Sequence, residues 1–315
     1  MYDADSKGVS YNNAFLILIG LWIGGFIAGA VLSIVVWGLM SDKSLLSMPT
    51  ELLKPENLNV VRVIQIVSTA VTFFLPAYLT ALIINRKPSK FLGFNTRFNY
   101  RQLLLALGIM FAAAITAAAL AELNELIPIP QAASDYFRKL EDSYGAQVEA
   151  ITNIKTFGDY IISVFVIALL PAVFEETFFR GGMQNLLTRI SKKPWVSILI
   201  TSLIFSFIHL SYYGFMARVC LGVVLGLIYY FSRSLWLGIA AHFFNNAIAV
   251  TQMYIMIRQG KSVKEAMNET YPMWWGIIGV IILYVLFMLF KKISKEARIK
   301  YTSPEDRALE EKWIA

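Results

Sequence analysis

Histidine is almost absent from this chain, cysteine occurs once, and charge is scarce. Of 315 residues only 16% are charged, two are histidine and one is cysteine. A single thiol, Cys220, cannot form an intramolecular disulfide, so the fold is held by packing alone. The helical His-Glu-x-x-His signature of a zinc peptidase is missing. So is any module that interleaves aromatic and basic residues for nucleic acid. No internal repeat stands out either. The N-terminus lacks the pattern of a cleaved signal peptide: Asp3 and Asp5 precede Lys7, and the apolar run Ala14–Met40 exceeds a signal h-region. We read that run as a retained first span.

What the chain has in quantity is apolar sequence. Hydrophobic residues make up 57% of it and the mean hydropathy is +0.59. Crossing a bilayer takes about 20 residues of helix, and several runs approach or exceed that length. They lie at about Ala14–Met40, Val60–Ile84, Leu103–Leu120, Phe157–Ile190, Trp195–Leu210, Phe215–Phe231, Leu235–Ile257 and Met273–Phe290. The expected fold is therefore all-α: a polytopic membrane bundle of about eight transmembrane helices, with the lipid bilayer as its solvent. It forms one domain over 1–290, with its chemistry-bearing core at 157–257, followed by a charged cytoplasmic tail over 291–315. Gly20-x-x-x-Gly24 and Gly25-x-x-x-Gly29 suit close helix packing. The connection 122–156 is acidic and contains an amphipathic helix; no function can be read from it.

The net charge of +7 suits topology rather than nucleic acid. With eight spans both termini share a side. That side carries the Arg86–Arg101 loop, the Arg189, Lys192 and Lys193 turn, Arg233 and the basic tail. Basic loops mark the cytoplasm, so a cell-membrane protein with both termini cytoplasmic is expected.

Against this apolar background three ionised side chains sit within six residues: Glu175, Glu176 and Arg180, in Pro171-Ala-Val-Phe-Glu-Glu-Thr-Phe-Phe-Arg180. An ionised group in hydrocarbon costs about 2.5–3.5 kcal/mol on insertion scales. Glu176 and Arg180 stand at i, i+4 and can pair on one helix face. Glu175 is turned by about 100° and cannot share it. One carboxylate is then neutralised and the other is left to act as a general base.

Both histidines also lie in apolar segments, His209 in Phe205-Ser-Phe-Ile-His209 and His242 in His242-Phe-Phe-Asn-Asn246. Glu175 and His209 lie about seventeen residues to either side of the turn near Lys192, so antiparallel helices would bring them to one depth. His242 lies only about nine residues past the turn near Arg233, roughly 13 Å of helix, against about 25 Å for His209 past its own turn. Its level matches theirs if the hairpin between the fourth and fifth spans projects into the cytoplasm. His242 and Asn246 share a face at i, i+4. Taken singly, these are ordinary packing groups: a lone histidine or asparagine as interhelical glue, an ion pair as a tie. Their joint occurrence in three spans points to a site.

The three patterns, Glu175-Glu176-Thr-Phe-Phe-Arg180, Phe205-Ser-Phe-Ile-His209 and His242-Phe-Phe-Asn-Asn246, resemble the CPBP family of intramembrane proteases. That family comprises the CAAX prenyl endopeptidases and bacteriocin-processing proteins, including the eukaryotic Ras-converting enzyme. The resemblance covers about Ile161–Val250. It implies a glutamic intramembrane endopeptidase that needs no cofactor. Glu175, helped by His209, would activate water; His242 and Asn246 would bind the oxyanion; Glu176 and Arg180 would support them. The implied substrate is a membrane-associated protein or peptide.

Three other readings stay open at this point. A zinc ion held by Glu175, His209 and His242 would make a metal-dependent version of the same protease. A non-catalytic scaffold or immunity protein would keep the fold without the chemistry. A transporter would use buried charges to line an ion path.

Overall fold

The computed structural model describes residues 5–152, 154, 156–261 and 272–301. These are helical, with no strand among them beyond one isolated bridge between Ser6 and Asn85. In chain order the long helices are α1 (Tyr11–Met40), α2 (Pro55–Ile84), α3 (Tyr100–Glu125), α4 (Gln131–Thr152), α5 (Phe157–Ser191), α6 (Pro194–Phe207), α7 (Phe215–Ser232), α8 (Leu235–Arg258) and α9 (Trp274–Tyr301).

Six of them, α1, α2, α3, α5, α7 and α9, are long and apolar enough to cross a membrane. The chain is a multi-pass membrane protein with an all-α bundle fold. The other two expected spans are helical but differ in kind. Helix α6 has only 14 residues. Helix α8 has 24 residues, long enough to cross, but His242, Asn245 and Asn246 dilute its apolar character. The helix that departs from membrane composition is thus one that carries a sequence motif. Helix α9 continues past Phe290 to Tyr301, so the charged stretch from Lys291 begins inside a helix; residues 302–315 lie outside the described residues.

Side-chain caps set several starts. The Ser10 hydroxyl accepts from the Asn13 amide at α1, and Asn99 with Gln102, then Thr156 with Asp159, form reciprocal capping boxes at α3 and α5. Two long helices contain proline. Pro76 in α2 and Pro171 in α5 each follow a wide, i→i+5 turn, at Ala70–Phe74 and Val164–Leu169. Proline has no amide hydrogen and its ring clashes with the carbonyl four residues back. A widened turn relieves that clash without breaking the helix. Helix α5 carries a second wide stretch, Thr177–Gln184, directly after the paired glutamates.

The ends of the bundle are chemically distinct. At one end the N-terminal segment pairs with the end of α2: Lys7 N–H donates to the Ile84 carbonyl and Arg86 N–H to that of Asp5. There too Arg189 donates to the Tyr11 hydroxyl at 3.0 Å and lies over the Tyr11 and Phe91 rings, and Asn95 bonds the Arg233 carbonyl. Lys291 reaches the Phe231 ring. The N-terminal segment, the basic loops and the start of the basic tail therefore share one end. At the other end lie α4 and the turn between α6 and α7, joined by Ser211 Oγ donating to Glu141, and there the Met216 amide at the start of α7 donates to Asn124 Oδ1 at the end of α3 at 3.2 Å.

Helix α1 packs on α2 through one of its two glycine pairs. A Cβ at Gly25 would fall 2.7 Å from the Val71 carbonyl oxygen, and one at Gly29 3.2 Å from Thr72 Oγ1. Gly20 and Gly24 face open space. The core fills from both sides of α5: Phe178, Phe179, Met183 and Leu186 are fully buried against α1, α2 and Phe205 of α6.

Candidate active site

Helix α5 brings the charged residues in at the middle of the bundle. Glu176 and Arg180 are both fully buried, and Arg180 Nη1 donates to Glu176 Oε1 at 2.8 Å. The i, i+4 pair expected from the sequence is present. The other side of the guanidinium serves the fold: Nη2 donates to the Gly222 carbonyl of α7 at 3.0 Å, and the Phe205 ring covers Cζ at 5.1 Å. One turn on, Gln184 Nε2 donates to the Gly226 carbonyl, also at 3.0 Å. Arg180 and Gln184 thus form two rungs from α5 to α7. Gln184 comes this close because the α7 residue opposite is glycine: a Cβ at Gly226 would lie 2.9 Å from Gln184 Oε1; Gly222 instead lets α6 approach, where a Cβ would lie 2.9 Å from the Ser202 Cβ.

His242, on α8, stands between the two glutamates. Its Nδ1 is 3.0 Å from Glu176 Oε1, and its Nε2 is 4.0 Å from Glu175 Oε2. Glu176, already paired with Arg180, accepts from His242, which fixes the Nδ1–H tautomer and orients the ring. Glu175 approaches the opposite edge of the same imidazole. The sequence expectation that the two carboxylates separate holds in that sense: only Glu176 meets Arg180, and Glu175 is left outside that pair. Gly238, one turn before His242, makes room for the arrangement. A Cβ there would come within 3.0 Å of Glu176 Oε2.

His209 is placed differently from its expected position. Helix α6 ends at Phe207, and His209 lies in the turn beyond it, followed by Leu210 in a left-handed conformation at φ 51°. Its Nδ1 is 2.7 Å from the Phe205 carbonyl. The imidazole within 4.0 Å of Glu175 is that of His242, not His209. The two histidines flank the Phe205 ring, with centroids 5.0 Å and 6.0 Å from it. The wide turn at Thr177–Gln184 lies between Glu175 and the Lys192 turn, so the regular rise per residue behind the equal-depth expectation does not hold there. Asn246 lies one helical turn beyond His242 and accepts from Asn245 Nδ2 at 3.2 Å.

Among the described residues no group of three or more His, Cys, Asp or Glu is gathered so as to hold a metal ion. Nδ1 of His209 meets the Phe205 carbonyl, and Nδ1 of His242 meets Glu176.

Residues 157–248, from the start of α5 through most of α8, match the family model described as Rce1-like, type II CAAX prenyl endopeptidase. This stretch is similar to the CAAX proteases that the model describes. The match includes Glu175, Glu176, Arg180, His209, His242 and Asn246 and leaves α1–α4 and α9 outside it. No curated protein and no solved structure matches the chain.

Around the matched stretch the structure adds residues that the sequence reading passed over. Gln184, Gly222, Gly226 and Gly238 sit on or beside its ion pair; the spacing of Arg180 to Gln184 and of Gly222 to Gly226, four residues each, was the available signal. Helix α4 also reaches the site, and no motif announced it. Its Glu141 accepts from Ser211 Oγ at 2.8 and 3.1 Å, and its Phe137 ring stacks on Tyr212 at 4.8 Å. Ser134 meets the Tyr213 hydroxyl at 3.3 Å. Tyr144, on the same face, interacts electrostatically with Arg218 and Glu175. The turn 208–214 that follows His209 is therefore covered by α4.

Proposed function

We propose that this CAAX-type protease is an intramembrane endopeptidase in which Glu175 activates water to hydrolyse a peptide bond. The observation that carries the reading is the position of His242, bonded to Glu176 on one edge and 4.0 Å from Glu175 on the other. That gap is too long for a direct hydrogen bond, and its length suits one water touching both groups. Glu175 takes a proton as the water attacks the carbonyl carbon. The developing oxyanion needs fixed donors, and His242 with Asn246, one turn apart on α8, can supply them. With Nδ1–H committed to Glu176, His242 donates from Nε2 only when the ring carries both protons. Arg180 and Glu176 hold that ring in place. His209 borders the same pocket through Phe205 and faces the substrate rather than Glu175.

The reading needs no cofactor, and its substrate is a membrane-associated protein or peptide. We assign the chain to the cell membrane with both termini cytoplasmic, because the basic loops and both helical ends gather at one end of the bundle. The α4 end, which covers the turn carrying His209, then lies away from the cytoplasm.

Comparison of membrane peptides from cells carrying the wild-type chain and Glu175→Gln tests the reading. Peptides that depend on Glu175 are expected; identical peptide sets from both strains would leave a non-catalytic scaffold as the better description.

A further inference from the structure

The site holds a second guanidinium with no carboxylate of its own. Arg218 lies on the first turn of α7, beside the turn that carries His209. Its one hydrogen bond is long, Nη2 to the Ser211 carbonyl at 3.5 Å, and its Nε is buried without a partner. The guanidinium lies flat against Gly214, where a Cβ would fall 2.6–2.7 Å from Nη1, Nη2 and Cζ. It forms no ion pair among the described residues, although it interacts electrostatically with His209, Tyr144 and Glu141. Glu141 is the nearby acid, yet both its oxygens accept from Ser211 Oγ.

The contrast with Arg180 is direct. Arg180 has a carboxylate, a backbone carbonyl and a covering ring, all in the protein. Arg218 leaves most of its five donors uncommitted at the edge of the pocket. Desolvating a cation without a counter-charge is costly. A guanidinium fork matches a carboxylate in two parallel hydrogen bonds.

We propose that Arg218 is a specificity residue that binds a carboxylate of the peptide substrate beside His209. The inference rests on the site being one for peptides. Two sources supply the same group, a free C-terminus and an acidic side chain.

The test is binding to the purified full-length chain carrying Glu175→Gln, in lipid nanodiscs. The probes are one apolar hexapeptide as its C-terminal acid, as its C-terminal amide, and as the amide with one internal Asp. One of the two anionic peptides is expected to bind about tenfold or more tightly than the uncharged amide, as a charged hydrogen bond implies; which one does so identifies the source. The preference should vanish in Glu175→Gln/Arg218→Gln and weaken in Glu175→Gln/Arg218→Lys, which keeps the charge and loses the fork. Equal binding of all three peptides to the protein with Arg218 intact overturns the inference and needs no second variant. A preference that persists without Arg218 also overturns it. Cleavage of the same peptides by the chain with Glu175 reports separately on hydrolysis: acid-selective binding without cleavage would retain the role of Arg218 and remove the protease.

Discussion

Glu176 and His242 meet at 3.0 Å although 66 residues separate them in the chain. That bond joins α5 to α8 at the point where Arg180 joins α5 to α7. One carboxylate oxygen, Oε1 of Glu176, therefore receives both the guanidinium and the imidazole. In the proposed reaction Glu176 orients the site and Glu175 acts as the base.

The first prediction separates the two glutamates. Loss of a general base costs about 10²–10⁴ in rate. Glu175→Gln should lose that much proteolysis and keep the fold, because Glu175 is not part of the Arg180 pair. Circular dichroism and thermal unfolding in detergent check the fold beside the activity.

Glu176 carries the opposite expectation. Glu176→Gln leaves a buried guanidinium without its counter-charge, and breaking such a pair costs about 3–5 kcal/mol. Thermal unfolding should show a large loss for Glu176→Gln and for Arg180→Met, and a smaller one for the double variant. Additive losses in the double variant would refute the coupling.

Gly238→Ala probes the packing behind the site. The new methyl would lie 3.0 Å from Glu176 Oε2, so the carboxylate must yield by a few tenths of an ångström. Displaced groups of this kind lose rate steeply. We expect activity to fall about tenfold with little change in unfolding temperature. Gly20→Ala, where nothing lies within 4 Å, is the control.

Metal dependence has a simple readout. Among the described residues no three His, Cys, Asp or Glu gather to hold a metal ion, and the proposed reaction uses none. Activity should survive chelation, and purified protein should lack stoichiometric metal by elemental analysis. Activity lost to a chelator and restored by zinc would contradict the proposed chemistry.

Orientation can be read with thiol labelling in a Cys220→Ser background. Lys139→Cys on α4 should react with a membrane-impermeant maleimide added outside intact cells. Lys87→Cys, at the basic end, should react only after lysis. The reverse pattern would place the site toward the cytoplasm.

Much of this protein was legible in its residues. Apolar runs gave the helices, because in a membrane the backbone must satisfy its own hydrogen bonds. The Glu176–Arg180 pair followed from one helix period, a purely local property. The three motifs lie within the stretch that matches the Rce1-like family model.

Contacts between helices were decided elsewhere. Sequence spacing grouped Glu175 with both histidines and matched its depth to His209; in the structure the imidazole within 4.0 Å of Glu175 is that of His242, and α5 carries a wide turn while α6 ends early, at Phe207. The docking of α4 on 208–214, the uncommitted guanidinium of Arg218 and the clearance at Gly238 likewise belong to the tertiary structure. Periodicity fixes which way a side chain points from its own helix axis. Only the packing of one helix on another fixes what it meets.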